Sequence, residues 1–236
     1  MTASPELRLA ATAMPIRDRP SGIELLMVRR NPELSFGGMW TFPGGALEPG
    51  DGDLPPAIDE LTQNWGEPSL LTVAANAAVR ETLEETALVA NRTSLAWFSH
   101  WIPPANIAKR FATWFFLAPD VSGDVELDLS ENDDWRWISP ATALSEHAAG
   151  SFPLAVPTWV TLDDLTAFAS TGELLDHAIT QSARLHHTRA YKADAGRTLC
   201  WAGDAAYGSG DMGAPGPRNR VVVDDNFAVV ERKRDL

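Results

Sequence analysis

The chain has 236 residues, of which 44% are hydrophobic, and this is enough for one large domain or for an ordinary domain with an appendage. Its formal net charge of −13, with no long basic run, argues against a nucleic acid polymer as a partner. The single cysteine, Cys200, excludes a disulfide within the chain, which favours a reducing compartment such as the cytoplasm.

The first half of the chain alternates between strand, loop and helix patterns. The segment "GIELLMVRR" predicts a buried strand that ends in two arginines, and the Gly- and Pro-rich segment after it predicts a loop. A short helix follows, and then a long helix with an apolar stripe and Ser69 or Thr72 as its N-cap. The predicted ranges are, in chain order, strand 22–30, loop 31–56, helix 57–66 and a helix from residue 69 or 72 to about residue 88.

The second half of the chain predicts more of the sheet and several short helices. Aromatic and β-branched runs between turn residues are typical of strands in a mixed sheet. These predicted strands cover 94–102, 110–118, 124–128 and 134–139. The remaining predictions are a helix over 139–149, an amphipathic helix pair over 161–180 and a terminal hairpin from Arg220 to Arg232.

Three glutamates crowd one face of the long predicted helix. Glu84 and Glu85 follow Glu81 by three and four residues, so the side chains are neighbours and their charges repel. Carboxylate oxygens are the ligands that Mg²⁺ prefers, and Mn²⁺ accepts them too. Arg80 precedes the cluster and can bind a carboxylate through two parallel hydrogen bonds. The cluster therefore indicates either a divalent metal site or a solvated acidic helix face.

A glycine-rich loop upstream favours the metal site. In "WTFPGG", Gly44 and Gly45 mark a place where the backbone approaches something closely or adopts a positive φ. Together, "GGALEPGD" and "AVRETLEETAL" resemble the Nudix box, whose pattern is glycine, five residues, glutamate, seven residues and then Arg-Glu-aliphatic-x-Glu-Glu-x-Gly-aliphatic. The matching positions are Gly45 in the first half and Arg80, Glu81, Glu84, Glu85 and Leu88 in the second.

The sequence departs from the Nudix pattern at four points. Asp51 replaces the first glutamate, Thr82 replaces an aliphatic residue, and Ala87 replaces the last glycine. The turn after the helix must therefore close without glycine. The fourth departure is length, because residues 52–79 stand where the pattern has only seven, which places an insertion over about 52–71.

The split box is similar to one branch of the family, which contains the peroxisomal coenzyme A diphosphatase of animals. The likeness covers about residues 20–180. It implies an α/β fold, the Nudix α/β/α sandwich with a mixed β-sheet. We therefore expect a Nudix hydrolase domain over 1–180, interrupted by the insertion, and an α/β C-terminal extension over 181–236 that packs on the same domain.

The resemblance also implies roles for the residues of the box. Glu84 or Glu85 doubles as the base that activates water, and Arg80 orients Glu81 or Asp51. Glu48 is an alternative partner near the loop, or a surface acid. The implied ligands of Mg²⁺ or Mn²⁺ are the carbonyl of Gly45 or its neighbour Gly44 and the carboxylates of Glu81, Glu84 and Glu85.

Candidates for substrate binding lie outside the box. Arg29 and Arg30 end a strand that runs into the glycine loop, so either could hold a phosphate or be a surface arginine. Arg110 and Phe111 lie among aromatic residues that could stack on a base, although core packing is the alternative for Phe111.

Two further sites are weaker candidates. One of the loop acids Glu131, Asp133 and Asp134 would complete the metal site or act as base, although a solvated turn explains each of them as well. His100 could touch substrate, but a hydrogen-bonded core histidine is the better interpretation.

The predicted function is Mg²⁺-dependent hydrolysis of a diphosphate linkage in a nucleoside diphosphate derivative. Coenzyme A or acyl-coenzyme A is the first candidate substrate, and ADP-ribose or a dinucleotide is the alternative. A Nudix-like binding or regulatory module without catalysis is a third reading. No stretch approaches the roughly 18 apolar residues of a membrane span, and no signal peptide is recognisable, so we expect a cytoplasmic protein that does not bind membranes. A homodimer is compatible with the sequence.

Overall fold

The computed structural model describes residues 6–34, 37–55, 59, 63–193, 196–224 and 228–235. The strands are β1 Leu7–Arg19, β2 Gly22–Arg30, β3 Trp40–Thr41, β4 Gly44–Ala46, β5 Val89–Ala90, β6 Ala96–Ile102, β7 Arg110–Ala118, β8 Val121–Ser122, β9 Asn132–Ile138, β10 Arg184–His187, β11 Arg189–Ala193, β12 Gly196–Cys200, β13 Asn219–Val223 and β14 Val229–Arg234. The helices are α1 Pro68–Thr86, α2 Pro140–Ala148, α3 Val156–Leu165 and α4 Thr171–Thr180, with 3₁₀ turns at Pro49–Asp51 and Arg92–Ser94. Among the described residues, no helix is long and apolar enough to cross a membrane.

The main sheet is mixed and has eight strands. Its central order is β10-β6-β7-β1-β2-β3, with β4 paired to β1 and β9 paired to β2. The pairs β1–β7 and β10–β6 are parallel, and the other pairs of this sheet are antiparallel. A second, antiparallel sheet follows in the order β11-β12-β13-β14.

Strand β1 organises the main sheet, and the sequence did not predict it. Its first part pairs with β7 and β4, and its last part, from Ile16 onward, pairs with β2. Residues 10–16 are all buried, so the strand is covered on both faces. Its alanines carry little strand propensity and Pro15 lacks an N–H group, so tertiary packing overrides local preference here.

Two apolar layers cover the two faces of the main sheet. On one face, α1 packs Leu70, Val73 and Ala77 against Ala11 and Trp114 of the strands. The opposite face carries a second cluster that includes Met14 and Ile16 of β1, residues of α2, α3 and α4, and residues of the C-terminal sheet. The predicted α/β class, with helices on both faces of a mixed sheet, is therefore confirmed.

The C-terminal residues join both parts of this architecture. β10 extends the main sheet beside β6, and Trp201, Val221 and Val223 lie in the second apolar cluster. In residues 181–235, as far as they are described, the chain forms strands and turns without a helix, so the predicted α/β character of this segment is wrong. The predicted domain limits at 180 and 181 stay predictions.

A buried carboxylate fastens the C-terminal hairpin to α3. The Asp164 side chain is 4% exposed and accepts hydrogen bonds from Arg184 at 2.6 Å, Arg232 at 2.5 Å and Arg234 at 2.6 Å. Arg232 also forms an ion pair with Asp163. Three guanidinium groups from β10 and β14 thus share one acceptor that has little access to water.

The predicted strand over 124–128 is wrong. This segment runs past the end of α1, where the N–H of Glu126 donates to the Thr86 carbonyl at 3.0 Å and the N–H of Asp128 donates to the Glu85 carbonyl at 3.1 Å. The last carbonyls of a helix lack hydrogen-bond partners within the helix, and these two N–H groups act as their partners. The segment therefore serves the end of α1 instead of extending the sheet.

The insertion contacts the core at the beginning of α1. Half of the residues of the short helix predicted over 57–66 lie outside the described part of the chain, and its last two residues form a turn. Trp65 is buried, stacks on His100 with ring centroids 4.4 Å apart, and accepts a hydrogen bond from the Trp114 indole at 3.1 Å. Glu81 lies 13 residues after Pro68, about 20 Å along the helix. Trp65 therefore lies near the beginning of α1, whereas the glutamates lie near its end.

Removal of this indole should destabilise the fold. We expect Trp65→Ala to lower the free energy of unfolding by about 3–5 kcal/mol, because it removes a buried ring from the layer beneath α1. Urea unfolding of Trp65→Ala and of the neighbouring control Gln63→Ala measures this difference. Equal stability of the two variants would show that the tryptophan contributes nothing to the core.

Candidate active site

The last turns of α1 present the clustered glutamates at the edge of the sheet. The helix ends at Ala87, whose φ of 58° is left-handed and whose N–H donates to the Leu83 carbonyl at 2.9 Å. Ala87 is the only described residue other than glycine with a positive φ. Alanine thus occupies the conformation that the expected glycine would adopt more readily, at a cost of roughly 1 kcal/mol.

Arg80 explains how the helix tolerates the crowded carboxylates. Its guanidinium binds both oxygens of Asp51, at 2.9 and 3.0 Å, in a bidentate pair. The same group donates to Glu81 at 2.8 Å and to Glu84 at 2.9 Å, and it donates to the Ala46 carbonyl at 3.0 Å. One cation therefore joins three carboxylates, which offsets their repulsion.

Asp51 brings the first half of the split motif to the helix. Its carboxylate accepts the Glu48 N–H at 2.8 Å, and its carbonyl accepts a hydrogen bond from the Asn76 amide at 2.9 Å. Burial raises the pKa of Asp51, but the hydrogen bonds from Arg80 and from the Glu48 N–H outweigh burial and leave the pKa below its usual value. An ionised Asp51 holds Arg80 in place although 28 residues, 52–79, separate the two in sequence.

The glycine loop lies directly against the glutamates. The N–H of Gly44 donates to Glu85 Oε2 at 3.3 Å. A Cβ on Gly45 would lie 2.5 Å from the carboxylate carbon of Glu81, so a larger residue would push that carboxylate away. Gly44 is equally restricted, because its Cβ would meet the Ala11 carbonyl oxygen at 2.5 Å. The close approach of the loop to β1 therefore requires glycine at position 44, and glycine at position 45 leaves the Glu81 carboxylate in its place.

Glu85 is the buried member of the cluster, whereas the Glu84 side chain is 56% exposed. The nearest cation to Glu85 is Arg30, with 3.7 Å between Nη1 and Oε1, and Oε1 has no hydrogen-bond partner among the described residues. Burial raises the pKa of Glu85 to about 8, and the positive charge of Arg30 only partly opposes this. Burial likewise raises the pKa of Glu81, against the hydrogen bond from Arg80.

The raised pKa of Glu85 makes stability depend on pH in the metal-free protein. Because the folded-state pKa of about 8 lies above the ordinary value of 4.5, the stabilising contribution is complete below about pH 4.5. It is lost as the pH rises through about 8. Glu85→Gln cannot ionise, so its stability relative to the wild type should rise over this interval, by about 5 kcal/mol at most.

Urea unfolding between pH 5 and 9, in buffer with a chelator, measures this change. Glu231→Gln is the control, because Glu231 is half exposed on β14 and pairs only with Lys233 among the described residues. A stability difference between Glu85→Gln and the wild type that stays constant with pH would contradict a raised pKa.

The donor set suits a hard divalent cation. The helix offers the carboxylates of Glu81, Glu84 and Glu85, and Gly45 stands against Glu81. Such oxygens are the ligands of Mg²⁺ and Mn²⁺. In the described part of the chain, no three His, Cys, Asp or Glu side chains are placed to hold a metal as they stand. Glu81 and Glu84 instead face Arg80, so metal binding requires at least one of them to turn away from the guanidinium.

The four predicted substrate-binding residues occupy different environments. Arg30 lies within the site, 3.7 Å from both Glu85 and Glu131. Arg29 is directed away from it, into an ion pair with Asp133 at 2.6 Å. Arg110 is buried and donates to the carbonyls of Pro103 at 3.0 Å and Pro104 at 3.2 Å. Phe111 is half-buried at the start of β7, where it pairs with Arg8 of β1.

The other sequence candidates lie apart from the carboxylate cluster or at its edge. His100 is a core histidine, as predicted, but it is not hydrogen-bonded, since neither ring nitrogen has a partner among the described residues. It lies between the rings of Trp65 and Trp114, where burial lowers its pKa to about 3 and keeps it neutral. Glu48 is exposed beside the Asp51 turn. The structure thus brings together Arg80, the three glutamates, Asp51, both glycines and Arg30.

A known domain matches this part of the chain. The NUDIX domain family model matches residues 73–155, which include the whole carboxylate cluster. The chain contains a Nudix domain. The match begins after Gly45 and Asp51, yet both lie against the matched helix in space, so the two halves of the Nudix motif meet across the insertion.

Solved structures of similar fold include other Nudix proteins. A NUDIX hydrolase from Alicyclobacillus acidocaldarius is 24% identical, with a TM-score of 0.59, over 74% of this chain and 97% of that chain. A NUDIX domain of Shewanella oneidensis NrtR, crystallised with ADP ribose, is 19% identical with a TM-score of 0.47, over 69% and 88% of the two chains. No curated protein matches the sequence. The match to the NUDIX domain supports a hydrolase that acts on diphosphate linkages, and the similarity to the Alicyclobacillus acidocaldarius structure shows the shared fold.

Proposed function

We propose that the Nudix domain is a divalent-metal-dependent hydrolase that cleaves a diphosphate linkage in a small molecule. The observation that carries this proposal is the arrangement around Arg80, which gathers Asp51, Glu81 and Glu84 against the glycine loop. A solvated acidic helix face needs neither the buried Glu85 nor a glycine whose Cβ would overlap Glu81. These contacts support a functional site instead of a solvated helix face.

In this proposal, Glu81, Glu84, Glu85 and the carbonyl of Gly45 hold Mg²⁺ or Mn²⁺. When bound, the ion neutralises diphosphate charge and lowers the pKa of bound water. Arg30 donates to a phosphate oxygen, since it stands beside the carboxylates with most of its side chain shielded from water. Water attacks one phosphorus, the P–O bond to the other phosphate breaks, and Glu84 or Glu85 accepts the proton of the attacking water. The free oxygen Oε1 of Glu85 favours Glu85 for that step.

Coenzyme A or acyl-coenzyme A is the first proposed substrate, on the resemblance of the split motif to the coenzyme A diphosphatase branch. The alternative is ADP-ribose or a dinucleotide, which contain the same diphosphate linkage. A binding or regulatory module without catalysis is the remaining alternative. Against it stands the intact set of Arg80 and the three glutamates, with their hydrogen bonds formed. The cytoplasmic location and the homodimer stay predictions from the sequence.

Phosphate-release assays on a panel of these diphosphates test the proposal. We expect turnover of at least one compound with Mg²⁺ or Mn²⁺, loss of turnover with EDTA, and recovery when the metal is restored. A chain without any turnover across the panel would favour the binding module, and full turnover in rigorously metal-free buffer would exclude the proposed metal role.

A further inference from the structure

Asn132, the cross-strand partner of Arg30, carries buried polar atoms that the mechanism above does not use. Within the described part of the chain, Glu85 Oε1, Arg30 Nε and both Nδ2 and Oδ1 of Asn132 have no hydrogen-bond partner. Asn132 itself is fully buried. Each buried polar group without a partner costs about 1–3 kcal/mol, so a fold that keeps several in one corner needs a reason for them.

The backbone holds Asn132 in this corner. Asn132 begins β9 and is the cross-strand partner of Arg30, and an irregularity in the pairing lets Arg30 face Asn132 while Arg29 faces Asp134. Cross-strand partners project their side chains from the same face of a sheet. The N–H of Asn132 also donates to the Asp128 carbonyl at 2.9 Å, and the N–H of Asp128 donates to the Glu85 carbonyl at 3.1 Å. Asn132 is thus tied to both Arg30 and the end of α1.

The hydrogen-bonding chemistry of these atoms identifies what fits between them. Arg30 Nε and Asn132 Nδ2 are donors, whereas Asn132 Oδ1 and Glu85 Oε1 are acceptors when the carboxyl is ionised. A phosphate oxygen would suit the donors but would be repelled by the carboxylate. A water molecule accepts from two donors and donates to two acceptors, so it matches all four atoms. Buried waters typically have two to four such polar partners.

We propose that Asn132 is a positioning residue, which with Arg30 holds one structural water against Glu85 and thereby fixes the direction of its Oε1 oxygen. Asn132 touches neither the substrate nor the attacking water. This inference rests on the proposed hydrolase activity, because the orientation of Glu85 matters only if that carboxylate takes part in catalysis.

A crystal structure of the metal-free wild type at high resolution tests the water without any assay. We expect one ordered water within hydrogen-bond distance of the Asn132 amide, Arg30 Nε and Glu85 Oε1. An Asn132 amide that bonds directly to protein groups, or a corner without a water, would overturn the proposal. This result stands whether or not the chain hydrolyses any diphosphate, so it separates this inference from the proposed function.

Kinetics on a substrate that the wild type turns over tests the role. We expect Asn132→Leu to lower kcat roughly 10-fold or more with KM within about twofold, since groups that orient a ligand typically contribute 10- to 100-fold. Asn132→Ser leaves a hydroxyl and room for a second water, so it should recover part of kcat, and it serves if the leucine variant fails to fold. Asn219→Leu removes a side-chain hydrogen bond in the C-terminal sheet and should keep wild-type kcat. An unchanged kcat in Asn132→Leu, or a rise in KM alone, would overturn the positioning role.

Discussion

Glu85→Gln and Glu84→Gln should each lower kcat on a competent substrate by roughly 10²- to 10⁴-fold, or about 3–5 kcal/mol of activation free energy. Glutamine keeps the shape of the side chain and removes the charge that binds metal or accepts a proton. Folding should not suffer, because Glu84→Gln removes one of several neighbouring like charges, and glutamine at position 85 is neutral like the buried carboxyl whose pKa is raised to about 8. Steady-state kinetics with and without Mg²⁺, alongside thermal melts, measure both effects.

The control for these variants must lie away from the site. Glu231→Gln on β14 meets this requirement and should keep wild-type kcat. Mg²⁺ should raise the melting temperature of the wild type more than that of either site variant, since ligand bound to the native state stabilises it. Wild-type turnover in both Glu84→Gln and Glu85→Gln would show that the glutamate cluster is only an acidic surface of the helix.

Asp164→Asn should lower the free energy of unfolding by about 3–5 kcal/mol, because it leaves three arginines without their shared anion in a buried setting. Asparagine has nearly the same volume as aspartate, so the loss of stability reports the missing charge instead of a change in packing. Asp163→Asn is the matched control. Its side chain is 38% exposed and its ion pair is with Arg232, so we expect it to cost about 1 kcal/mol or less.

Chemical unfolding of the two aspartate variants, at neutral pH and moderate salt, gives the comparison. Because Asp164 connects α3 to β10 and β14, its loss should also raise hydrogen exchange in the C-terminal hairpin before the main sheet opens. Equal stability of Asp164→Asn and Asp163→Asn would show that the three arginines find water or other acceptors.

The elements that the sequence predicted well are those in which local pattern and tertiary role agree. The strand over 22–30 combines apolar and β-branched residues and ends in two arginines, and β2 has the same limits. The long helix predicted from residue 69 or 72 to about residue 88 has an apolar stripe, and α1 runs from Pro68 to Thr86. The predicted N-cap, Ser69 or Thr72, is wrong, because Glu67 caps the helix through the N–H of Ser69. The sequence did not predict β1, because packing on both faces of this strand overrides its local preference. The strand predicted over 124–128 was wrong, because the backbone of this segment hydrogen-bonds to the end of α1 instead.

Within the site, the sequence predicted the residues whose spacing along one helix is fixed. Arg80 and the three glutamates lie on one helix, where three- and four-residue intervals determine which side chains are neighbours. Arg110 was misleading, since aromatic neighbours in sequence say nothing about the proline carbonyls that it binds. Asn132 was missed because its pairing with Arg30 depends on an irregular strand register, and no local pattern specifies that register.

The contact between Asp51 and Arg80 has a consequence for how such sites are recognised. The two residues belong to one motif, but a bidentate ion pair holds them together instead of a short stretch of chain. The insertion can therefore change in length or composition while the geometry around Arg80 stays the same, provided that both of its ends return to the same points beside α1. A search for an uninterrupted motif would overlook proteins built this way, whereas a search for an arginine that joins two acids beside a glycine loop would find them.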